Sequence, residues 1–282
     1  MKKLICLGLS LLLVLAMVPA AYGVEGDLDV LPDWDPNTYT VTYELSGGTN
    51  HPSNPATFTK DTALTFAAPT KEGATFGGWY KESTYKTPVT GIAAGTTRNI
   101  KVYAMWIKNF PDVKAGDWFK SAVDYISARN IISGTGDGNF TPGGITTRAT
   151  LAQILYNMEG KPAVTVENPY TDVEANAWYT KAVLWATQAG VLSGYGDGRL
   201  GPNDPITREQ LASMLWRHAG RPTPQSNTLT FEDAAQVGSW AKVSMCWAAE
   251  NRIMQGYANK VNPQNTATRA EATQMIYKYL TK

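Results

Sequence analysis

Cysteine and histidine are nearly absent from this sequence, with two of each. Cys6 falls inside an N-terminal apolar run. A chain that loses that run keeps Cys246 alone and forms no internal disulfide, which excludes a disulfide-built scaffold. Cys246 sits beside Trp247 in a helix-periodic stretch and reads as a small buried residue. His51 and His218 fall in no zinc-ligand or nucleophile–base spacing. An excess of charge is also lacking. The net charge of +1 argues against nucleic acid or a bulk membrane surface as partner. After residue 18 there is no second long apolar run, so no integral membrane segment is expected in the mature chain. No cofactor or metal site is expected.

The first residues read as a secretory leader, residues 1–23. Met1-Lys2-Lys3 is basic, Leu4 to Val18 is apolar, and Pro19-Ala20-Ala21-Tyr22-Gly23 supplies small residues where a peptidase cuts. Residues 24–37 are short, acidic and Pro-containing, and read as a flexible lead-in. The chain is therefore expected outside the cell.

Residues 38–107 differ in kind. Tyr39, Val41, Tyr43 and Leu45 alternate with polar residues, and Ile100, Val102, Ala104 and Trp106 form a second alternating run. Both read as half-buried strands. Gly73-Ala74-Thr75-Phe76-Gly77-Gly78-Trp79-Tyr80 lies between them. No helix-period stretch of useful length interrupts this small β-rich unit. Trp79 and Trp106 read first as core.

From Phe110 onward the sequence repeats. Thr147-Arg148, Thr207-Arg208 and Thr268-Arg269 each place the Thr five residues after a Pro and open an apolar-periodic segment. Gly134, Gly194 and Gly256 align, and Trp118, Trp178 and Trp240 each precede them by sixteen residues. A Phe/Tyr-x-Asp opening ends at Asp112, Asp172 and Asp233. Three units follow: residues 108–165, 166–226 and 227–282. Each reads as helix, Gly loop, helix. Phe119, Ala122, Val123 and Ile126 share one helical face, as do Leu211, Ala212 and Leu215 counted from Arg208. A lone helix pair of this size buries too little, so the three copies are expected to pack as one domain. The Gly-Asp-Gly loops of the first two units lack the further carboxylates of a calcium loop, and positive-φ turn geometry accounts for their glycines. Unit three has Gly256-Tyr257-Ala258-Asn259 instead.

Thr207 to Gln210 and Thr268 to Glu271 fit a capping box; Thr150 breaks it in unit one, whose second helix should start least firmly. The arginines lack such a reason. A cation at the first helical position opposes the helix dipole. A helix N-terminus with a guanidinium beside it is a receptor for a carboxylate or phosphate. The alternative is an inter-unit tie to Asp112, Asp172 or Asp233, and the two roles can share a residue.

Two resemblances follow from these residues. Gly47-Gly48, Pro69-Thr70, Phe76-Gly77-Gly78-Trp79-Tyr80 and Val102-Tyr103-Ala104-Met105-Trp106 resemble the internalin B-type (Listeria–Bacteroides) repeat. That resemblance implies a β-grasp-like spacer or adhesive unit on a bacterial surface protein. Phe-x-Asp-Val…Trp, Gly-Asp-Gly-x-Phe/Leu-x-Pro and Ile-Thr-Arg-Glu resemble the S-layer homology domain, present three times. It implies one pseudo-threefold domain with grooves between units, bound to anionic, pyruvylated secondary cell-wall polysaccharide. It also implies that Arg148, Arg208 and Arg269 engage the acid, with Trp118, Trp178 and Trp240 in the grooves and Gly134, Gly194 and Gly256 in their loops. The departures are Thr150 and Gln210 in place of Glu, and the unit-three loop.

The expectation is a mainly α chain with a small β domain: a non-catalytic, secreted cell-wall and surface protein. Two alternatives stand beside it. One is an adhesin that binds a protein partner through the β domain. The other is a wall-active hydrolase, which finds no catalytic constellation here.

Overall fold

The computed structural model describes residues 37–282. The expected leader, residues 1–23, and all but the last residue of the expected lead-in lie outside the described residues.

The first unit is a sheet. Strands β1 (Thr38–Glu44), β2 (Thr57–Thr59), β4 (Ala74–Tyr80), β5 (Pro88–Val89) and β7 (Ile100–Lys108) run in the order β2-β1-β7-β4-β5, and β3 (Leu64–Thr65) pairs with β6 (Gly91–Ile92). The alternation at 39–45 and 100–106 yields β1 and β7, which pair in parallel with Val41 opposite Ile100. The remaining pairings are antiparallel, with a bulge between Phe76 and Gly78. Trp79 and Trp106 are buried, and each indole N–H finds a carbonyl: Ala67 at 3.0 Å and Leu45 at 2.8 Å. That satisfies the one polar atom a buried indole brings with it.

The helices follow in pairs: α1 (Lys120–Ala128) and α2 (Arg148–Met158), α3 (Thr180–Gln188) and α4 (Arg208–His218), α5 (Lys242–Glu250) and α6 (Arg269–Thr281). The packing partners are not the sequence neighbours. α2 packs on α3, α4 on α5 and α6 on α1, each across a unit boundary. One buried apolar cluster, from Val113 to Ile276, runs through all three units. The β unit is docked on the first of them. β7 packs against α1, and Arg129 Nη2 donates to the Tyr85 carbonyl at 3.1 Å.

The fold is mixed rather than mainly α, at 28% helix and 17% strand, so the expectation of a mainly α, pseudo-threefold helical architecture is corrected. Two features account for it. The five-stranded sheet forms a unit of its own. In the repeats, short helices alternate with long loops, and the units are joined by backbone bridges such as Thr147–Pro205 and Thr207–Thr266. The innermost joint closes on itself. Thr146 N–H donates to the Ala267 carbonyl, Ala267 N–H to Ile206, and Ile206 N–H to Thr146, at 3.0, 2.9 and 2.9 Å.

Candidate functional site

The three Thr-Arg motifs sit at these joints. Thr147, Thr207 and Thr268 cap α2, α4 and α6 by accepting the N–H of Thr150, Gln210 and Glu271. The full reciprocal box forms at Thr207 and Thr268. In unit one only the Thr half is present, and the Thr147 and Thr150 hydroxyls meet at 2.9 Å. Each such cap is worth about 1 kcal/mol.

The helix starts are not free receptors. Arg148 and Ala149 donate their N–H groups to the carbonyls of Asp204 and Pro202. Arg208 and Glu209 donate to Asn265 and Pro263, and Arg269 and Ala270 to Gly144 and Pro142. In every case the acceptor is the loop of the next unit in the ring. With the third N–H held by the Thr cap, the anion-binding capacity of the helix end is used up inside the protein.

The guanidinium groups reach the same loops. Arg148 donates from Nε to Leu200 O at 3.0 Å and from Nη2 to Ser193 O at 2.7 Å. Arg269 repeats this with Phe140 O and Ser133 O, both at 2.8 Å. Arg208 donates from Nε to Val261 O at 2.7 Å, but its Nη1 turns to Glu271 Oε1 at 2.9 Å. None of the three pairs with the upstream aspartates. Those carboxylates instead hold two consecutive N–H groups of their own unit: Phe140 and Thr141 on Asp112, Leu200 and Gly201 on Asp172, Val261 and Asn262 on Asp233. Burial works to raise the Asp172 pKa, and the two N–H bonds outweigh it and bring the pKa below the usual value. Burial pulls the Arg269 guanidinium below its usual value, with Asp112 opposing.

Gly134, Gly194 and Gly256 are explained by close approach, not by φ. A Cβ at Gly194 would lie 2.6 Å from the Arg199 carbonyl and 2.7 Å from the Tyr170 ring. Gly134 and Gly256 stand in the same way against Phe110 and Phe231. The positive-φ glycines of these loops are Gly136, Gly138, Gly196 and Gly198; in unit three Ala258 and Asn259 take positive φ without glycine. Asp137 ties its own loop. The Asn139 N–H, then the Thr135 hydroxyl and the Asn139 side chain, hold its carboxyl down at about 2.

Two open grooves result. One, about 470 Å³, is lined by Arg148 of unit one, Ser193, Gly194, Tyr195, Gln210 and Arg217 of unit two, and Trp240 of unit three. The other, about 580 Å³, is lined by Arg208 of unit two, Gly256, Tyr257, Glu271 and Lys278 of unit three, and Trp118 of unit one. Each groove thus takes an Arg, a loop and a Trp from three different units. Arg269 with Ser133 and Gly134 repeats the Arg-to-loop part. Trp118, Trp178 and Trp240 are 62%, 63% and 56% exposed. An indole left this far in water forgoes about 2 kcal/mol of burial. Arg148 is only 6% exposed, yet it lines its groove and lies 4.7 Å from the Tyr195 ring centre.

Residues 109–152, 169–212 and 230–273 match the S-layer homology domain. The chain carries three S-layer homology domains. Residues 39–105 match the Listeria-Bacteroides repeat domain, which precedes them. Among similar proteins, an amylopullulanase of Thermoanaerobacterium thermosulfurigenes is 31% identical over 180 residues, covering 62% of this chain and 10% of that protein. The S-layer protein sap of Bacillus anthracis is 30% identical over 202 residues, 70% of this chain and 25% of that one. The exoglucanase XynX of Acetivibrio thermocellus is 30% identical over 178 residues, 61% and 16%. The chain spans no more than a quarter of the length of these relatives. The two glycosidases share only the S-layer homology region with it.

Sequence reading missed Tyr195, Gln210, Arg217, Glu271 and Lys278 as groove residues. One signal was available. Arg217 and Lys278 each stand nine residues after a motif Arg, two long cationic side chains at one fixed offset, with the shorter Asn157 at that place in unit one. Among the described residues no helix is long and apolar enough to cross a membrane.

Proposed function

We propose that the three S-layer homology domains hold this protein non-covalently at the bacterial cell surface by binding an anionic secondary polysaccharide of the cell wall. The observation that carries this reading is the grooves' composition. In each of the two, an exposed indole lines the same groove as a largely covered guanidinium supplied by another unit. A sugar ring stacks on the indole, and its acidic substituent meets the guanidinium hydrogens that the carbonyls leave unused. S-layer proteins among the relatives, including those of Bacillus anthracis and Bacillus thuringiensis, support the same surface role. Arg269, held on the Ser133 carbonyl beside Gly134, repeats the Arg-to-loop half of such a groove.

In this reading the chain has no catalytic role. The glycosidase relatives match only in the region that the S-layer proteins also match. The Listeria-Bacteroides repeat domain is the part displayed, seated on the first S-layer homology domain through Arg129 and α1.

The test is a pull-down with S-layer-stripped sacculi of Bacillus licheniformis, the source of one relative. Wild-type protein is expected to sediment with the sacculi, and W118A/W240A to remain largely in solution with an unchanged melting temperature. Equal sedimentation of the folded double variant would overturn the groove assignment.

A further inference from the structure

The two grooves differ in charge, and the difference turns on one position of the repeated motif, Glu271 in one groove and Gln210 in the other. The Arg208 groove contains its own carboxylate, with Arg208 Nη1 and Glu271 Oε1 2.9 Å apart. The Arg148 groove has uncharged Gln210 at the matching position, and its second cation is Arg217. Arg217 is fixed from behind, Nη1 donating to Val191 O at 3.4 Å. Arg221 follows, with Nη2 on Gly190 O at 3.3 Å. Among the described residues no ion pair engages Arg148, Arg217 or Arg221. Of the acids beside the groove loop, Asp197 is paired with Arg199 at 2.8 Å and Asp204 accepts from the Tyr195 hydroxyl at 2.9 Å. Three guanidinium groups thus lie close together with carbonyls and the Tyr195 ring for partners, and no carboxylate. Burial first, then the charges of Arg221 and Arg148, push the Arg217 pKa below its usual value. A cleft lined by charge of one sign raises the local concentration of ligands of the opposite sign and binds them through charge-assisted hydrogen bonds.

We infer that the Arg148 groove carries two anion subsites, one at Arg148 and one at Arg217 backed by Arg221, and so selects a glycan segment bearing two acidic groups. The Arg208 groove, already holding Glu271, takes a segment bearing one. This deepens the wall-polysaccharide reading and rests on it. Either a carboxylate or a phosphate on the sugar presents the required charge and fork of oxygens.

The experiment uses the full chain, titrated calorimetrically with oligosaccharides released from Bacillus licheniformis sacculi. Anion exchange separates these into singly and doubly charged pools. Wild type is expected to prefer the doubly charged pool by about tenfold, the size of one charge-assisted contact. R217Q is expected to lose that preference, binding the doubly charged pool no better than the singly charged one. K278Q in the other groove leaves the preference intact. Mild acid, which removes ketal-linked carboxylates, and cold hydrofluoric acid, which cleaves phosphodiesters, tell which group is read. Absence of a preference in wild type, or its survival in R217Q of wild-type melting temperature, overturns the proposal. So does an equal loss for both pools in R217Q, which would make Arg217 part of a single subsite. If wild type does not sediment with the sacculi at all, the wall-polysaccharide reading falls first, so the two failures are distinguishable.

Discussion

Glu271 closes the box of its own helix with one carboxylate oxygen and holds Arg208 of the preceding unit with the other. Oε2 accepts the Thr268 N–H at 2.8 Å, and Oε1 accepts from Arg208 Nη1 at 2.9 Å. A capping residue therefore also decides how much free charge a groove offers. E271Q keeps a box-forming side chain, as Gln210 shows in unit two. The variant should lose no more than about 1 kcal/mol, because the pair is part-exposed. Its binding to anionic wall polysaccharide should rise. Urea denaturation and the sacculus pull-down measure the two effects; weaker binding would contradict the account of the groove.

Trp240 and Trp118 are mostly solvated, so their loss removes little packing. W240A and W118A should each change stability by less than about 0.5 kcal/mol. Each should weaken wall binding several-fold. A large drop in melting temperature would show these indoles to be structural.

The loop glycines make the opposite prediction. G194A forces a Cβ against the Arg199 carbonyl and the Tyr170 ring, and backbone cannot move aside cheaply. A loss of about 1–3 kcal/mol is expected. Gly143 has nothing within 4 Å of an added Cβ, and G143A should be neutral to within about 0.5 kcal/mol. Urea midpoints of the two variants provide the comparison.

His218 joins all three units, with Nδ1 at 2.8 Å from the Tyr279 hydroxyl and Nε2 at 3.1 Å from Glu159 Oε1. Burial lowers its pKa below the ordinary value, and Glu159 only partly restores it. The folded state therefore binds fewer protons there than the unfolded chain. Stability from this site is intact above the unfolded pKa of about 6.5 and falls as pH drops below it. Denaturation midpoints should fall between pH 7.5 and pH 5, and H218Q should flatten that window. A midpoint rising on acidification, with the rise removed in H218Q, would reverse the assignment.

Much of this protein was legible because its signals are local. The caps at Thr207 and Thr268, the apolar faces at Leu211, Ala212 and Leu215, and the strands at 39–45 and 100–106 follow from residue type at short spacing. The repeats announced themselves through the spacing of Trp, Gly and Arg. The burial of Trp79 and Trp106 followed from the small size of the β unit. What the three arginines touch was not legible. A free helix end looked available at Arg208, but the carbonyls that occupy it belong to Asn265 and Pro263. The tie of Arg269 to Ser133 crosses 136 residues. No spacing rule reaches that far. The balance of helix and strand escaped as well, since a helical period says nothing about loops that bridge.

The sequence by itself determined the three repeated units, their caps and the positions of guanidinium and indole, because these depend on chemistry within a few turns of chain. Only the tertiary structure decided which indole shares a groove with which guanidinium, and which grooves keep uncompensated charge. Each groove is assembled from three units, so its composition exists only once the ring from Thr146 through Ile206 to Ala267 has closed.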